Sequence, residues 1–326
     1  MAYNAATLDS FICYYLCLGF RTLYLYLDDA ADESVGVARR YPPDRVKVRL
    51  RDAALIREWE AMPSWSRLQL YAQREVQARQ MLNCEHAIAL CRAHGDEWLL
   101  HVDSDELLFL PGALQHPASA LQAHLAELER LGAILFTYRN LEAVPERLEC
   151  ADAFRDVSLF KQHPSQLDAN LPAVGAAIRY WTEADEAGGE LFRFYSNGKS
   201  IVRVHELIRE AGSVHEWNLP SKQVAASAAY TNNPRLRASN YVYHQLMRFE
   251  DVGGVVLLHF AVCSFETFWR KKWADLGYAS PNHRFRGGGG GVDQRANALA
   301  LGDRRSETLA LTLALTLALA LALSPR

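Results

Sequence analysis

An acidic cluster that directly follows a short apolar run constrains this chain more than any other feature. Leu99–Val102 is too short for a helix of its own and predicts a short buried strand. Asp103, Asp105 and Glu106 come next, and a second apolar run begins at Leu107. Carboxylates this close together repel one another, and burying them unpaired is costly. The pattern therefore predicts a strand end at the edge of a core, where a cation would be stabilising.

A divalent cation would relieve both the repulsion and the cost of burial. Asp and Glu oxygens suit hard ions such as Mg2+ and Mn2+. Asp103-Ser104-Asp105 at a strand end is therefore a candidate metal site, and its metal would hold a diphosphate. The competing interpretation is a solvated turn, because acidic triplets are common on protein surfaces. The apolar runs on both sides of the cluster favour the metal site.

Strands and helices alternate along the first part of the chain. The pattern predicts a helix over 7–19, strands over 21–27 and 46–50, a helical stretch over 67–94 and the strand over 99–102. Later elements are predicted as a helix over 117–131, strands over 133–138, 200–204 and 255–260, a helix over 264–276, and a turn over 196–199. This order favours an α/β fold with parallel strands joined by right-handed crossovers.

A second acidic segment follows the predicted strand over 21–27 and begins with Asp28 and Asp29. In open α/β sheets, ligands bind beyond the carboxyl ends of the strands, so this loop is a candidate neighbour of the first cluster. Arg79, from the long helical stretch, would position phosphates there. These three residues and Asp103 are the candidate cofactor-binding residues. A solvated loop and a solvated helix face are the competing interpretations.

Composition limits the classes of partner. Half of the 326 residues are hydrophobic and 22% are charged, which is ordinary for a globular protein with a sizeable core. The net charge of -3 gives no reason to expect nucleic acid as a partner. The six cysteines form no CxxC pair and are expected to be mostly buried free thiols, with a disulfide left open for a luminal protein.

Four motifs, in the same order, resemble those of the glycosyltransferase family 2-like and family 92-like enzymes. Residues 4–26, which run from Asn4 through a helix ending in Gly-Phe to a strand, resemble the opening of these enzymes. Residues 98–107 resemble their signature of Trp, hydrophobic residues and Asp-x-Asp-Glu. Residues 197–200 with 212–215 resemble a Gly-Lys…Gly-Val-His stretch, and 258–260 resemble a C-terminal strand that contains His.

The resemblance implies a GT-A fold, with a mixed, mainly parallel sheet flanked by helices, and a metal-dependent glycosyltransferase. Asp103 would contact the nucleotide or the metal, and Asp105 would be the principal ligand of Mn2+ or Mg2+. Glu106 would be a further ligand or lie behind one. His259 or His215 would complete the metal shell. The implied partners are a nucleotide-sugar donor, with a UDP-sugar expected first, and a glycan, lipid or protein acceptor.

The resemblance also predicts the domain organisation. It gives a GT-A-like domain over 1–278, followed by a Gly-rich linker over 279–307 and a low-complexity Leu/Ala/Thr tail over 308–326. In the family, a hydrophobic strand precedes the opening motif, and Glu stands where this chain has Ala5, so a first strand is expected upstream. An anchor upstream would place the protein in a Golgi or other secretory-pathway membrane, and without one it would be cytoplasmic.

Two questions stay open at the level of sequence. A carboxylate base would deprotonate the acceptor if the anomeric configuration inverts, and Glu190, Glu206 and Glu216 are its candidates. A sugar- or nucleotide-binding protein without turnover is the alternative function. A nucleotidyltransferase is less favoured, because no glycine-rich phosphate loop is seen near the start of the chain.

Overall fold

A computed structural model describes residues 5–131, 133–147, 149–161, 170–173, 197–218, 227–229 and 254–265. The chain divides into two compact units, residues 1–142 with 161–261, and residues 143–160 with 262–326. The predicted linker and low-complexity tail lie outside the described residues, as does most of the predicted helix over 264–276. No helix of the described part is long and apolar enough to cross a membrane.

The first unit opens with helices packed around a pair of parallel strands. Helix α1 (Ala5–Leu18) is followed by β1 (Leu23–Leu27), α2 (Glu33–Ala38) and β2 (Val46–Leu50). Strands β1 and β2 run parallel along their whole length, from Leu23 opposite Val46 to Leu27 opposite Leu50. Helix α1 ends before Gly19, whose φ of 106° is a conformation that favours glycine, as the sequence predicts.

Three helices then lead to the acidic cluster: α3 (Ala53–Trp59), α4 (Trp65–Ala72) and α5 (Val76–His94). The predicted helical stretch over 67–94 is therefore divided. Helix α5 starts after Glu75, whose φ of -114° and ψ of 121° are extended rather than helical. It ends at Gly95, with a left-handed φ of 68°, as predicted.

The remaining elements are the strands of a second sheet and two helices between them. In chain order they are β3 (Trp98–Leu100), β4 (Glu106–Phe109), α6 (Pro117–Arg130), β5 (Leu135–Val144), α7 (Ala153–Asp156), β6 (Leu159–Phe160), β7 (Asn197–Arg203), β8 (Ser227–Ala229) and β9 (Val256–His259). In space the strand order is β3-β7-β5-β9-β4, with β8 beside β5. Helix α7 and strand β6 belong to the second unit, where β6 pairs with the end of β5.

The α/β class is confirmed, and the sheet is mixed, with a larger antiparallel share than a mainly parallel sheet implies. Strands β3 and β7, β7 and β5, and β4 and β9 pair antiparallel. Strand β5 runs parallel to β8 and β9. The prediction of a turn over 196–199 was wrong at 197–199, because these residues begin β7. Local turn chemistry favoured the turn, whereas pairing with β5 extends the strand to Asn197.

Candidate active site

The acidic cluster lies between two strands that are not neighbours in the sheet. Strand β3 ends at Leu100, Asp103 lies in the connection, and Glu106 opens β4. The connection is closed by two reciprocal bonds: the Glu106 backbone N–H donates to the Asp103 carbonyl at 3.1 Å, and the Asp103 N–H donates to Glu106 Oε2 at 2.8 Å. The cluster therefore follows a strand end, as the sequence predicts.

Asp103 is already engaged at both carboxylate oxygens. Lys199, from β7, places Nζ 2.8 Å from Asp103 Oδ2, and Gln80, from α5, donates from Nε2 to Oδ1. The side chain of Asp103 is one-third exposed, whereas that of Lys199 is 1% exposed. Burial alone would raise the pKa of Asp103, but the Lys199 ammonium outweighs it and holds this pKa well below its usual range. Asp103 is therefore an anion at neutral pH.

Glu106 differs from Asp103 because it is almost fully buried, with 1% of its surface exposed. Burial, together with the charges of Asp103 and Asp105, raises the pKa of Glu106 to about 8, against the opposing effect of Lys199. Tyr15 of α1 fixes this strand start, since its hydroxyl donates to the Glu106 carbonyl at 3.0 Å. Glu106 thus braces the connection through the Asp103 N–H, and its role as a further metal ligand or as a residue behind one stays a prediction.

His259 lies directly across the sheet from the cluster. In the antiparallel register of β4 and β9, His259 is opposite Glu106, and its Nε2 is 3.9 Å from Asp105 Oδ2. The backbone is tied as well, because the Phe260 N–H donates to the Asp105 carbonyl at 2.7 Å. The structure therefore brings two of the predicted metal ligands, Asp105 and His259, to one place.

Asn140, from β5, contacts the other nitrogen of the His259 ring. Its amide group is 2.9 Å from His259 Nδ1, and the residue is 4% exposed. Its Oδ1 atom is buried and has no hydrogen-bond partner among the described residues. In the arrangement as placed, Nδ2 donates to an unprotonated Nδ1, whereas if the amide oxygen and nitrogen are exchanged, Oδ1 accepts from Nδ1–H. In that arrangement Nε2 of His259 keeps its lone pair toward Asp105, which is the form that binds metals.

His215 has the same kind of orientation on a different segment. Its Nδ1 donates to the Gly198 carbonyl at 2.8 Å, which leaves Nε2 as the unprotonated nitrogen. Burial, and next the positive charge of Lys199, lowers the pKa of His215 to about 3, so the ring is neutral at pH 7. His215 lies near enough to interact electrostatically with Asp103 and Lys199. It therefore belongs to the cluster around Asp103, and its role as a metal ligand stays a prediction.

The segment that carries His215 is held in place by helix α5. Glu85 accepts from Ser64 Oγ at 2.6 Å, from the Ser64 N–H at 3.0 Å and from the Ala211 N–H at 2.9 Å. Arg92, two turns further along, donates to the carbonyl groups of His205 and Ile208. Residues 205–211 are thus fixed to the helix before the chain reaches His215.

The predicted residues Asp28 and Arg79 meet as a bidentate ion pair. Arg79 Nε is 2.8 Å from Asp28 Oδ1, and Arg79 Nη2 is 2.9 Å from Asp28 Oδ2. Gln80, the next residue of α5, contacts Asp103, so consecutive residues of one helix contact both acidic loops. Asp29 has a local role instead, because its Oδ1 accepts from the Ala31 N–H in an exposed turn. Binding of a cofactor by these residues stays a prediction.

The candidate bases differ in how far the structure supports them. Glu216 is 8% exposed, and burial raises its pKa to about 7. Glu206 is exposed, beside His205, whose Nδ1 accepts from the Leu207 N–H in a local turn. Glu190 lies outside the described residues. The choice of base remains open, with burial favouring Glu216.

Sequence reasoning missed the roles of Asn140 and Lys199, whereas Gln80 is one of the polar residues of the helical stretch expected to position phosphates or support the ligands near the acidic strand end. Lys199 stands in the Gly-Lys motif quoted for the family resemblance, but the motif gives no role for the lysine. Gln80 follows the predicted Arg79, so helix geometry alone would place it near the same loops. No sequence pattern predicts a role for Asn140, because its contact with His259 depends on β5 and β9 being neighbours in the sheet.

The donor atoms present give a partial fit to a divalent ion. No group of three His, Cys, Asp or Glu side chains within the described ranges is arranged to hold a metal. Asp105 and His259 supply one carboxylate oxygen and one imidazole nitrogen on the same side of the sheet. Mg2+ commonly takes only one or two carboxylates and completes its shell with substrate phosphates and water. The pair fits an ion that is bound together with a phosphate-containing ligand.

Comparison with known proteins gives two relatives, both from Arabidopsis thaliana. The chain is 28% identical over 256 residues to a protein named glycosyltransferase-like At2g41451, and 25% identical over 248 residues to glycosyltransferase-like At3g57200. Each alignment covers 74% of this chain, and 51% and 45% of the two relatives, so the chain spans about half of their length. No protein family description and no solved structure matches the chain. The similarity supports a glycosyltransferase-type protein.

Proposed function

We propose that the chain is a metal-dependent glycosyltransferase that moves a sugar from a nucleotide-sugar donor, a UDP-sugar in the first instance, to a hydroxyl group of a glycan, lipid or protein. The names of the two Arabidopsis relatives support glycosyl transfer as the general activity. The donor, the acceptor and the use of Mn2+ or Mg2+ are part of the proposal.

One observation carries the proposal: the strand-end carboxylate Asp105 faces His259 at 3.9 Å, across neighbouring strands of the sheet. The gap is longer than a hydrogen bond, and oxygen and nitrogen ligands at this separation can share one ion. Asn140 fixes the His259 ring from behind, so that Nε2 faces the carboxylate. Asp105 and His259 would hold the ion, and Asp103 would stay paired with Lys199.

The proposed reaction at this site is a displacement at the anomeric carbon of the donor sugar. When bound, the ion would stabilise the negative charge that develops on the departing diphosphate. In this reaction Asp105 and His259 would position the diphosphate of the donor. The ion pair of Asp28 and Arg79 is connected to Asp103 through α5, and the nucleotide would extend toward this ion pair. A carboxylate, for which Glu216 is one candidate, would take the proton of the acceptor hydroxyl.

The test is release of UDP from a panel of UDP-sugars, with and without acceptors, in the presence of Mn2+, Mg2+ or EDTA. We expect release by the wild-type protein to depend on the metal, and the Asp105→Ala variant to lose it, because the principal ligand is gone. Asp44→Ala is the matched control, since this exposed carboxylate lies in the turn before β2, and it should keep the activity.

Three results would redirect the proposal. Metal-dependent binding of UDP-sugars without release or transfer would favour a protein that binds sugars or nucleotides without turnover. Release of pyrophosphate from a nucleoside triphosphate and a sugar phosphate would favour a nucleotidyltransferase. If the protein neither binds UDP-sugars nor releases UDP with any of these metal ions, the proposed enzymatic function is rejected.

A further inference from the structure

Lys199 is a buried ammonium group at the centre of the acidic cluster. It lies on β7 and is 1% exposed. Besides Asp103 Oδ2 at 2.8 Å, it donates to the Val214 carbonyl at 3.1 Å. Burying a cation is expensive unless it is paired and hydrogen-bonded, and Lys199 meets both conditions. Because burial of a charged side chain is costly, the position of Lys199 beside the acidic connection indicates a specific function of this lysine in the site.

The contacts of Asp103 show what Lys199 does locally. One carboxylate oxygen takes the ammonium and the other takes Gln80 Nε2, so both oxygens are occupied by side chains of the chain itself. The second aspartate of the motif has different neighbours. Asp105 faces His259 at 3.9 Å, and its backbone carbonyl is held by Phe260. The two aspartates therefore have different partners: Asp103 faces a lysine ammonium group, and Asp105 faces an imidazole ring.

We propose that Lys199 is a positioning residue that acts as a built-in cation for Asp103, and that it leaves the divalent ion to Asp105 and His259. This inference rests on the proposed function, because it assumes that the site takes a divalent ion. Lys199 and the ion carry the same sign of charge and share the neighbourhood of the cluster. Lys199 therefore limits the affinity of the free protein for the ion, while it keeps Asp103 ionised and in place.

A mutant cycle on Lys199 and Asp103 tests the proposal, with Mn2+ alone as the probe and free Mn2+ followed by electron paramagnetic resonance on the full chain. Lys199→Met removes the competing charge and should tighten Mn2+ binding by about tenfold or more. Asp103→Asn leaves the lysine uncompensated and should weaken it. The double variant removes a neutral pair, so its affinity should return to within about threefold of wild type, as expected for coupled charges.

The outcomes separate the alternatives. If Asp103 is itself a metal ligand, the double variant will still lack that ligand and will bind Mn2+ much more weakly than wild type, and the proposal is overturned. It is also overturned if folded Lys199→Met binds no more tightly than wild type. A merely structural lysine would not produce a gain in affinity.

Two controls complete the design. Lys47→Met removes the same charge from β2 and should leave Mn2+ affinity unchanged. If Lys199→Met alone does not fold, the comparison of Asp103→Asn with the double variant decides, because the double variant has no unpaired buried charge. If the wild-type protein binds no Mn2+ at millimolar concentration, the proposed function itself fails, and this inference with it. That result is distinct from an altered pattern among the variants.

Discussion

At the scale of single residues, the orientation of two imidazole rings decides what the site can bind. Asn140 contacts Nδ1 of His259 at 2.9 Å, and the Gly198 carbonyl accepts from Nδ1 of His215 at 2.8 Å. The Gly198 contact leaves Nε2 of the neutral His215 ring with a lone pair, and Nε2 of His259 has one when Asn140 Oδ1 accepts from Nδ1–H. Ring orientation is thus set by residues outside the predicted ligand set.

Asn140→Leu tests the first of these contacts. Leucine has a similar size but cannot accept from Nδ1–H, so His259 loses its fixed orientation. We expect Mn2+ affinity to fall by about 10- to 100-fold, the usual effect of removing a partner that orients a metal ligand. The same Mn2+ titration measures it. Asn140→Asp keeps an acceptor and should retain most of the affinity, and equal losses in both variants would contradict the assigned role.

Sequence reasoning identified the acidic cluster and both histidines, but not the residues that pair with them. The Asp103–Glu106 cluster is local in sequence, so its position after a strand could be read from the apolar runs on either side. The partner of Asp103 lies on β7, nearly one hundred residues later, and nothing in the spacing of Lys199 signals that contact. A buried lysine cannot be told from a surface lysine until the strand pairing is known.

At the scale of elements, helix α5 is the support of the site. It carries Arg79 to Asp28, Gln80 to Asp103, Glu85 to Ala211, and Arg92 to the segment that leads toward His215. These contacts are made along three turns of one rigid element. Periodicity predicted the helix and its end, but treated its polar residues as phosphate ligands or as a solvated face.

Glu85→Ala should show how much this support contributes. The substitution leaves the backbone N–H groups of Ser64 and Ala211 without their acceptor, and each such group costs about 1–3 kcal/mol. We expect the free energy of unfolding to fall by about 2–4 kcal/mol in urea denaturation. In this variant, the rate of amide hydrogen exchange should increase more at residues 205–217 than in β1. Glu60→Ala, at the exposed C-cap residue of α3, is the comparison, and uniform exchange changes in both variants would argue against a local support.

At the scale of the whole molecule, buried histidines give the stability of the protein a dependence on pH. His124 of α6 is 6% exposed and lies 2.9 Å from the Tyr138 hydroxyl. Burial lowers the pKa of His124 to about 4, below its usual value near 6.5. Between these values the unfolded chain binds the proton and the folded chain does not, so stability contributed by His124 is present above pH 6.5 and lost toward pH 4.

His124→Gln isolates this contribution and keeps a hydrogen-bonding group for Tyr138. Glu106 and Glu216 have raised pKa values and act in the opposite direction, so the effect is read from the difference between wild type and variant. We expect the stability advantage of the wild type to shrink between pH 6.5 and pH 4, measured from urea midpoints at several pH values. A difference that stays constant over this range would show that His124 is not neutral in the folded protein.

The class of fold was predictable from the sequence, whereas the pairing of the strands was not. Alternating apolar runs and helical periodicity identify β1, β2, β3, β5 and β9 close to their observed positions. The antiparallel contacts of β3 with β7 and of β4 with β9 join segments that are about one hundred and one hundred and fifty residues apart. Local pattern carries no information about such contacts, so the expectation of mainly parallel pairing came from element order and from the family resemblance.

Consecutive residues of α5 connect the two acidic loops to the same turn of helix. Arg79 contacts Asp28 and Gln80 contacts Asp103, so a ligand that draws either loop toward itself works against the same turn of backbone. Where two binding events act on one element, their free energies are coupled, and each must change the affinity of the other by the same factor. A nucleotide bound at the first loop would then change the affinity for a cation bound near the second, and the cation would change the affinity for the nucleotide.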